Sequence, residues 1–208
     1  AAAIGSGVNI AEPTGSMIVD VGGGTTDVAI ISLGGIVVSE SMRIAGNEFD
    51  ESIIRHIRHK ENLLIGDRTA EEIKMKVGAA MLRGPEDDLT MEVRGRDLIN
   101  GLPKTITVST QDVVDALKEP IQKIADGVRR VLEQAPPELV SDVIDRGIIM
   151  TGSGSLLRNF DELLRQTTGI PVMVAESATE AVALGTGQAL DMIHVLQDAL
   201  ISDNFLRR

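Results

Sequence analysis

A chain of 208 residues, 43% of them apolar, is long enough to bury a core and too apolar to be a disordered segment. Acidic residues outnumber basic ones 31 to 20, a formal net charge of -11, which excludes the basic stripe that broad nucleic-acid binding needs. The absence of cysteine excludes a disulfide framework, a thiol nucleophile and a thiolate metal site, and no apolar run approaches the roughly 18 residues of a membrane span, so any membrane contact is expected to be peripheral or indirect. With Phe49, Phe160 and Phe205 as the aromatic residues, the core is expected to consist of Ile, Val, Leu, Met and Ala.

In chain order, Ala1-Ala2-Ala3-Ile4-Gly5 reads as the end of a helix stopped at Gly5 or Gly7, and Glu12-Pro13-Thr14-Gly15 as a turn. The segment Met17 to Val28 is the most informative in the chain. An apolar run ends in Asp20, three glycines (Gly22, Gly23, Gly24), two hydroxyls (Thr25, Thr26) and Asp27 follow, and a second apolar run continues to Leu33. Two strands joined by a glycine turn are expected here. Successive N–H groups in such a turn form an anion-binding concavity, and hydroxyls with flanking carboxylates are the groups a phosphate chain with a divalent metal requires. A glycine-rich hairpin with no ligand is the plain alternative. The segment is neither a dinucleotide fingerprint, since a strand and not a helix leaves the turn, nor a Walker A loop, since no G-K-[ST] follows. A tight turn at Gly34-Gly35 and a strand from Ile36 to Ile44 complete a meander of Met17–Val21, Asp27–Leu33 and Ile36–Ile44.

Phe49, Ile53 or Ile54, and Ile57 recur at helical spacing, which predicts an amphipathic helix over Asn47–Lys60 with His56 and His59 at its surface or rim. A second helix opens at Arg68-Thr69, with Thr69 and Glu72 as a capping box and Ile73, Val77, Ala80 and Met81 on one face. On it Glu71 and Lys74 stand at i,i+3, by spacing alone an exposed ion pair. After an acidic turn at Gly84–Asp88, strands are expected over Leu89–Arg94 and Lys104–Val108, with turns at Arg94–Asp97 and Asn100–Pro103. Ser109 and Asp112 cap the longest helix, whose stripe of Val113, Leu117, Ile121, Ile124, Val128 and Val131 Pro120 is expected to kink or break near Glu119. Pro137 starts a short helix, and Gly147–Met150 reads as a buried strand. Thr151-Gly152-Ser153-Gly154-Ser155 is then expected to enter a helix with Leu156, Leu157, Phe160, Leu163 and Leu164 inward, its N-terminus offering free N–H groups. Ile170–Val174 reads as a short strand, with Pro171 at an edge or strand-start position. Ser177 and Glu180 form a capping box before a helix carrying Val182, Ala183, Leu190 and Ile193, with Gly185 and Gly187 for close approach. The tail Gln197–Arg208 keeps a helical alternation with no assignable role.

At Asp20 to Asp27 the chain resembles the second phosphate-binding loop of the actin-like ATPase superfamily. Ala1–Gly5, Arg43-Ile44-Ala45-Gly46-Asn47-Glu48, Asn62–Gly66, Arg94–Leu98, Gly101-Leu102-Pro103 and Thr186-Gly187 extend the resemblance to the MreB family of bacterial actins, up to about Ile193 and only over the C-terminal part of such proteins. It implies an α/β, ribonuclease-H-like second domain of the actin-like ATPases, from residues 1–46 and 112–208, with a small α+β subdomain inserted at 47–111. It implies ATP and Mg2+ as cofactors. Asp20 would hold the metal through waters, Gly22, Gly23, Gly24, Thr25 and Thr26 would cradle phosphates, and Asp27 would place water or the metal shell. Glu71 and, more firmly, Lys74 would reach the ribose and base edge, with Met75 beside the adenine, and Gly152, Ser153 and Gly154 would lie against the adenosine and its phosphates. The family usually has G-G-G at that last loop, and Ser153 matters only if its position needs positive φ.

The resemblance further implies filaments of like subunits beneath the cytoplasmic membrane that guide the cell-wall elongation machinery and maintain rod shape. The membrane-binding elements and the water-activating Glu would then lie upstream of residue 1, so that hydrolysis belongs to the intact protein. Two other readings stay within the superfamily. A small-molecule kinase would need an acceptor pocket with a catalytic carboxylate, and a chaperone-type ATPase would need a substrate-binding domain.

Overall fold

The computed structural model describes residues 1–191. Residues 192–208 lie outside the described part, and with them the expectations for Ile193, His194, Phe205 and the tail. The chain opens with α1 (Ala2–Gly5), ended by Gly7 at φ +81°, and continues through β1 (Ser16–Val21), β2 (Thr26–Ser32) and β3 (Gly35–Met42). Next come α2 (Gly46–Glu61), β4 (Leu63–Leu64), α3 (Asp67–Val77), β5 (Thr90–Asp97) and β6 (Pro103–Ser109). The chain then runs through α4 (Thr110–Gln134), α5 (Pro137–Arg146), β7 (Ile148–Thr151), α6 (Phe160–Thr168), β8 (Val172–Val174) and α7 (Ala181–Asp191).

The first sheet has the order β3-β2-β1-β7-β8, antiparallel through the meander and parallel from β1 to β7 and β8. The second, β4-β5-β6, is antiparallel throughout. Strand alternation divides β1 between two faces. Met17, Val19 and Val21, with Val28 and Ile30 of β2, join the buried stripe of α4, whereas Ile18 packs with Ala3 and Ile10 on the face that carries α1. The larger apolar cluster continues without a break to Leu63, Val93 and Val108 of the second sheet. Phe49 of α2 meets Phe160 of α6 edge-to-face, with ring centroids 6.4 Å apart.

Several local expectations are corrected. The Gly34-Gly35 turn is set one residue earlier: Leu33 and Gly34 take φ of +50° and +76°, a two-residue hairpin turn closed by the Ser32–Gly35 pair. Thr69 and Glu72 form no capping box, because α3 already starts at Asp67 with Gly66 at the cap position, three residues before Thr69, and Glu72 pairs with Arg68 and Lys76. Arg94–Asp97 is strand rather than turn. Gly95 makes this possible, since a Cβ there would lie 2.5 Å from the Leu64 carbonyl oxygen of the neighbouring strand. Pro120 does not break α4, which runs as one helix of 25 residues, with Pro120 buried beside Leu117, Ile121 and Ile124. Core burial of that turn outweighs the lost backbone hydrogen bond.

Gly152–Ser155 does not enter α6 directly. A 3-10 turn over Ser153–Leu156 intervenes, Leu156 faces out, and α6 begins at Phe160. Ser177–Glu180 forms turns, and α7 starts at Ala181 rather than behind a Ser177 cap. Of α7, Ala181 and Gly185 are buried while Val182, Ala183 and Leu190 are exposed, and the close approach expected at Gly185 is present while that at Gly187 is not. The cause is the contact with α1: a Cβ on Gly185 would lie 1.9 Å from the Ala1 carbonyl oxygen, whereas Gly187 has nothing near it. His59 is exposed and His56 partly buried, and no group of three metal-ligating side chains occurs among the described residues.

The α4 cap is as read. The Asp112 N–H donates to Ser109 Oγ at 3.2 Å and the Ser109 N–H donates to Asp112 Oδ2 at 2.9 Å, while Lys60 pairs with the same carboxylate. Burial pushes the Asp112 carboxyl up, but hydrogen bonds from Lys60 and Ser109 outweigh it and leave it below its ordinary value. A depressed folded-state pKa contributes stability above the unfolded value of about 4 and loses it as pH falls. Asp112→Ala is therefore expected to cost about 1 to 2 kcal/mol in urea melts at neutral pH. That difference is expected to narrow below about pH 4.

Candidate active site

The site is built at the carboxyl ends of β1 and β7, parallel neighbours in the first sheet, which is where open α/β sheets place ligands. Asp20 lies on the α1 face of β1 and pairs directly with Asp27 across the hairpin and with Thr151 of β7 on its other side. The Thr151 hydroxyl donates to Asp20 Oδ1 at 3.0 Å. Burial raises the Asp20 carboxyl above its usual range, and the Asp27 charge adds to this against the hydrogen bond from Thr151. Thr25 donates its hydroxyl to Asp27 Oδ2 at 3.1 Å.

The same alternation that aims Asp27 at Asp20 turns Thr26 to the opposite face. Thr26 is fully buried and its hydroxyl donates to the Ile44 carbonyl at 2.6 Å, so Thr25 is the one loop hydroxyl at the surface. Gly22 spends its N–H on the Thr25 carbonyl inside the turn, at 2.9 Å. Gly23 and Gly24 are exposed, and a Cβ at Gly24 would meet nothing within 4 Å.

The second glycine loop packs onto the first. Gly152 has φ +82°, and a Cβ there would lie 2.2 Å from the Val21 carbonyl oxygen, so its glycine serves contact with β1. A Cβ on Gly154 would lie 2.5 Å from Val21 Cγ1. Ser153 has no positive φ and is exposed, so serine fits this position without strain.

A third wall comes from α2 and α3. The Gly46 N–H donates to the Gly22 carbonyl at 3.1 Å and the Asn47 N–H to the Gly23 carbonyl at 2.8 Å, which ties the phosphate-loop candidate to the start of α2. Lys74 does not pair with Glu71. Its ammonium donates to Asp50 Oδ2 at 2.8 Å and to the Gly46 carbonyl at 3.2 Å. A cavity of about 440 Å3 is lined by Glu71, Lys74 and Met75 on one side and by Ser153, Gly154 and Arg158 on the other. The structure thus brings Glu71 and Lys74 to Ser153 and Gly154, with Gly46 connecting this cavity to the Gly22–Thr25 loop. A larger cavity of about 680 Å3, between α2 and α4 beside His56 and His59, borders none of these loops.

Three residues of the site were not read from the sequence. Asp50 holds Lys74. Arg158 donates to the Gly78 carbonyl at 3.0 Å and to Thr110 Oγ1 at 2.9 Å, and Asn159 donates to the Met81 carbonyl at 2.9 Å, pinning the second glycine loop to the end of α3. Their partners lie far away in sequence, so no local pattern marks them.

The family model described as MreB/Mbl protein matches residues 1–198. The chain belongs to the MreB/Mbl family. It is 50% identical over 204 residues to the cell shape-determining protein MreB of Escherichia coli K12, covering 98% of this chain and 58% of that protein. It is 47% identical to the cell shape-determining protein Mbl of Bacillus subtilis 168, over 97% of this chain and 60% of that one. Among solved structures, MreB 5 of Spiroplasma citri bound to AMPPNP superposes with a TM-score of 0.88 at 40% identity, covering 93% of this chain and 57% of that one. The chain therefore spans about 58% of the length of the curated MreB it matches. The actin-like ATPase fold expected from the sequence holds. Among the described residues, no helix is long and apolar enough to cross a membrane.

The donor set of this MreB/Mbl chain suits a hydrated divalent cation. Asp20 and Asp27 face each other across one rung of the hairpin, and a cation beside Asp20 would offset both the burial and the repulsion that raise its carboxyl. Mg2+ keeps most of its waters, so one or two carboxylates with substrate phosphates are enough to bind it.

Proposed function

We propose that this chain is the second, nucleotide-binding domain of an MreB-type cytoskeletal ATPase, with residues 1–46 and 112–208 as its main part and 47–111 as an inserted subdomain. The observation that carries the reading is the convergence of two glycine loops on Asp20, with Lys74 and Glu71 across the adjoining cavity. ATP lies along this cleft, with its phosphates over Gly22–Thr25 and its nucleoside between Glu71–Met75 and Gly152–Gly154. Asp20 takes the hydrated Mg2+, which neutralises charge on the phosphates. Asp27 orients water at the loop mouth. Thr26 contributes by fixing the loop, its hydroxyl being spent on the Ile44 carbonyl rather than on a phosphate.

In this reading the intact protein hydrolyses ATP, assembles with copies of itself in the cytoplasm at the inner face of the membrane, and guides the cell-wall elongation machinery. The AMPPNP bound by the Spiroplasma relative supports the nucleotide class. The test is sedimentation of the intact protein with Mg2+ and ATP, alongside turnover assays with small-molecule acceptors. Nucleotide-dependent pelleting is the expected result. A monomer that stays in the supernatant and turns over ATP only with an acceptor would replace this reading with a kinase.

A further inference from the structure

Lys74 stands on α3, where its nearest acid by helical spacing is Glu71, yet its ammonium crosses to α2. There it meets Asp50 Oδ2 at 2.8 Å and the Gly46 carbonyl at 3.2 Å, two of the three bonds an ammonium can donate. Both side chains are largely buried, 19% and 17% exposed. The other carboxylate oxygen of Asp50, Oδ1, is buried without a hydrogen-bond partner. Glu71 and Asp67 on α3 add negative charge nearby, and burial sets the carboxyl of Asp50 above its ordinary range against the pull of Lys74. A pair kept only for stability is a poor use of such a carboxylate, because a buried ion pair seldom outdoes an apolar replacement and an orphaned oxygen adds cost.

We propose that Asp50 is a positioning residue for nucleotide binding: it holds the Lys74 ammonium against the cavity wall, with one donor left for the nucleoside. The flexible four-carbon stem of Lys74 would otherwise carry its charge out toward Glu71 and solvent. Gly46 extends the arrangement to the phosphate end. Its carbonyl accepts from Lys74 while its N–H donates to Gly22, so the nucleoside-side lysine and the phosphate loop share one backbone unit. This inference rests on the reading of Lys74 as a nucleoside contact.

The experiment compares Mg2+–ATP with Mg2+–tripolyphosphate, which has no nucleoside, in binding titrations of the intact protein. Asp50→Asn is expected to weaken ATP about tenfold, the loss of one charge-assisted hydrogen bond, and to leave tripolyphosphate unchanged. Lys74→Met is expected to do the same, and the double variant no more than either single one. Parent-like ATP affinity in Asp50→Asn with weakened binding in Lys74→Met would overturn the role of Asp50 and leave that of Lys74 standing. Parent-like affinity in Lys74→Met would overturn the reading of Lys74 itself. Equal weakening of ATP and tripolyphosphate by Asp50→Asn would overturn positioning in favour of a general structural role. Should Asp50→Asn fold poorly in a thermal melt, Asp50→Ser, with room for a water in place of the carboxylate, carries the same comparison with the same outcomes.

Discussion

Asp20→Asn is expected to remove the magnesium-dependent part of ATP binding, with a fall in affinity of roughly 100-fold, the scale of losing a carboxylate that orients the waters of a bound metal. The variant should fold at least as well as the parent. Asparagine still accepts from the Thr151 hydroxyl, which now reaches Asp20 Oδ1 at 3.0 Å, and it brings no charge into a place where burial and Asp27 oppose one. A carboxyl raised in the folded state favours folding while protonated, and that contribution is lost as pH rises through its folded value. The stability advantage of Asp20→Asn should therefore be present at neutral pH and shrink on acidification. Calorimetric titration with and without Mg2+, and thermal melts between about pH 4 and 8, test both halves. Unchanged magnesium dependence would move the metal away from Asp20. A lower melting midpoint at neutral pH would show that the charge is stabilised in the fold, and that burial and Asp27 do not oppose it. The expected combination, better folding with lost binding, is the trade a functional carboxylate makes.

What was legible in the sequence follows from local rules. A glycine turn between two apolar runs gave the hairpin, Ser109 with Asp112 gave the start of α4, and the quoted motifs gave the family. Strand alternation was available too. With Asp20 and Asp27 as partners, Thr26 has to face the other way, and counting the period would have separated it from Thr25. The unbroken run of α4 through Pro120 and the start and buried face of α7 depend on something else. In both, a partner element decides the outcome: the core covers the Pro120 turn, and α1 approaches Gly185 so closely that Ala181 and Gly185 are the buried residues of α7. Asp50 and Arg158 were out of reach altogether. Asp50 meets a lysine 24 positions away and Arg158 a carbonyl 80 positions away, so their roles exist only once α2, α3 and the second glycine loop share one cavity.

Gly152→Ala is expected to be the most damaging single methyl in the described part of the proposed nucleotide cleft, costing about 3 kcal/mol or more. Two independent penalties coincide there. At φ +82° an alanine is strained whatever the space around it, and its Cβ would lie 2.2 Å from the Val21 carbonyl oxygen and 2.7 Å from Asp20 Oδ1. Neither neighbour yields easily. Val21 belongs to a strand paired on both sides up to the Asp20–Thr151 rung, and the Gly152 N–H is itself bound to the Ala178 carbonyl at 2.8 Å. The strain therefore falls on the joint between the two glycine loops and displaces the Asp20 carboxylate, so stability and magnesium-dependent binding should be lost together. Gly24→Ala is the control. It sits in the first loop, lacks a positive φ and has open space at its Cβ, so its urea midpoint should stay close to that of the parent. A Gly152→Ala protein melting like Gly24→Ala would mean that β1 moves aside at little cost. The second loop would then owe its place to Arg158 and Asn159, which pin its far end to α3, rather than to its contact with Val21.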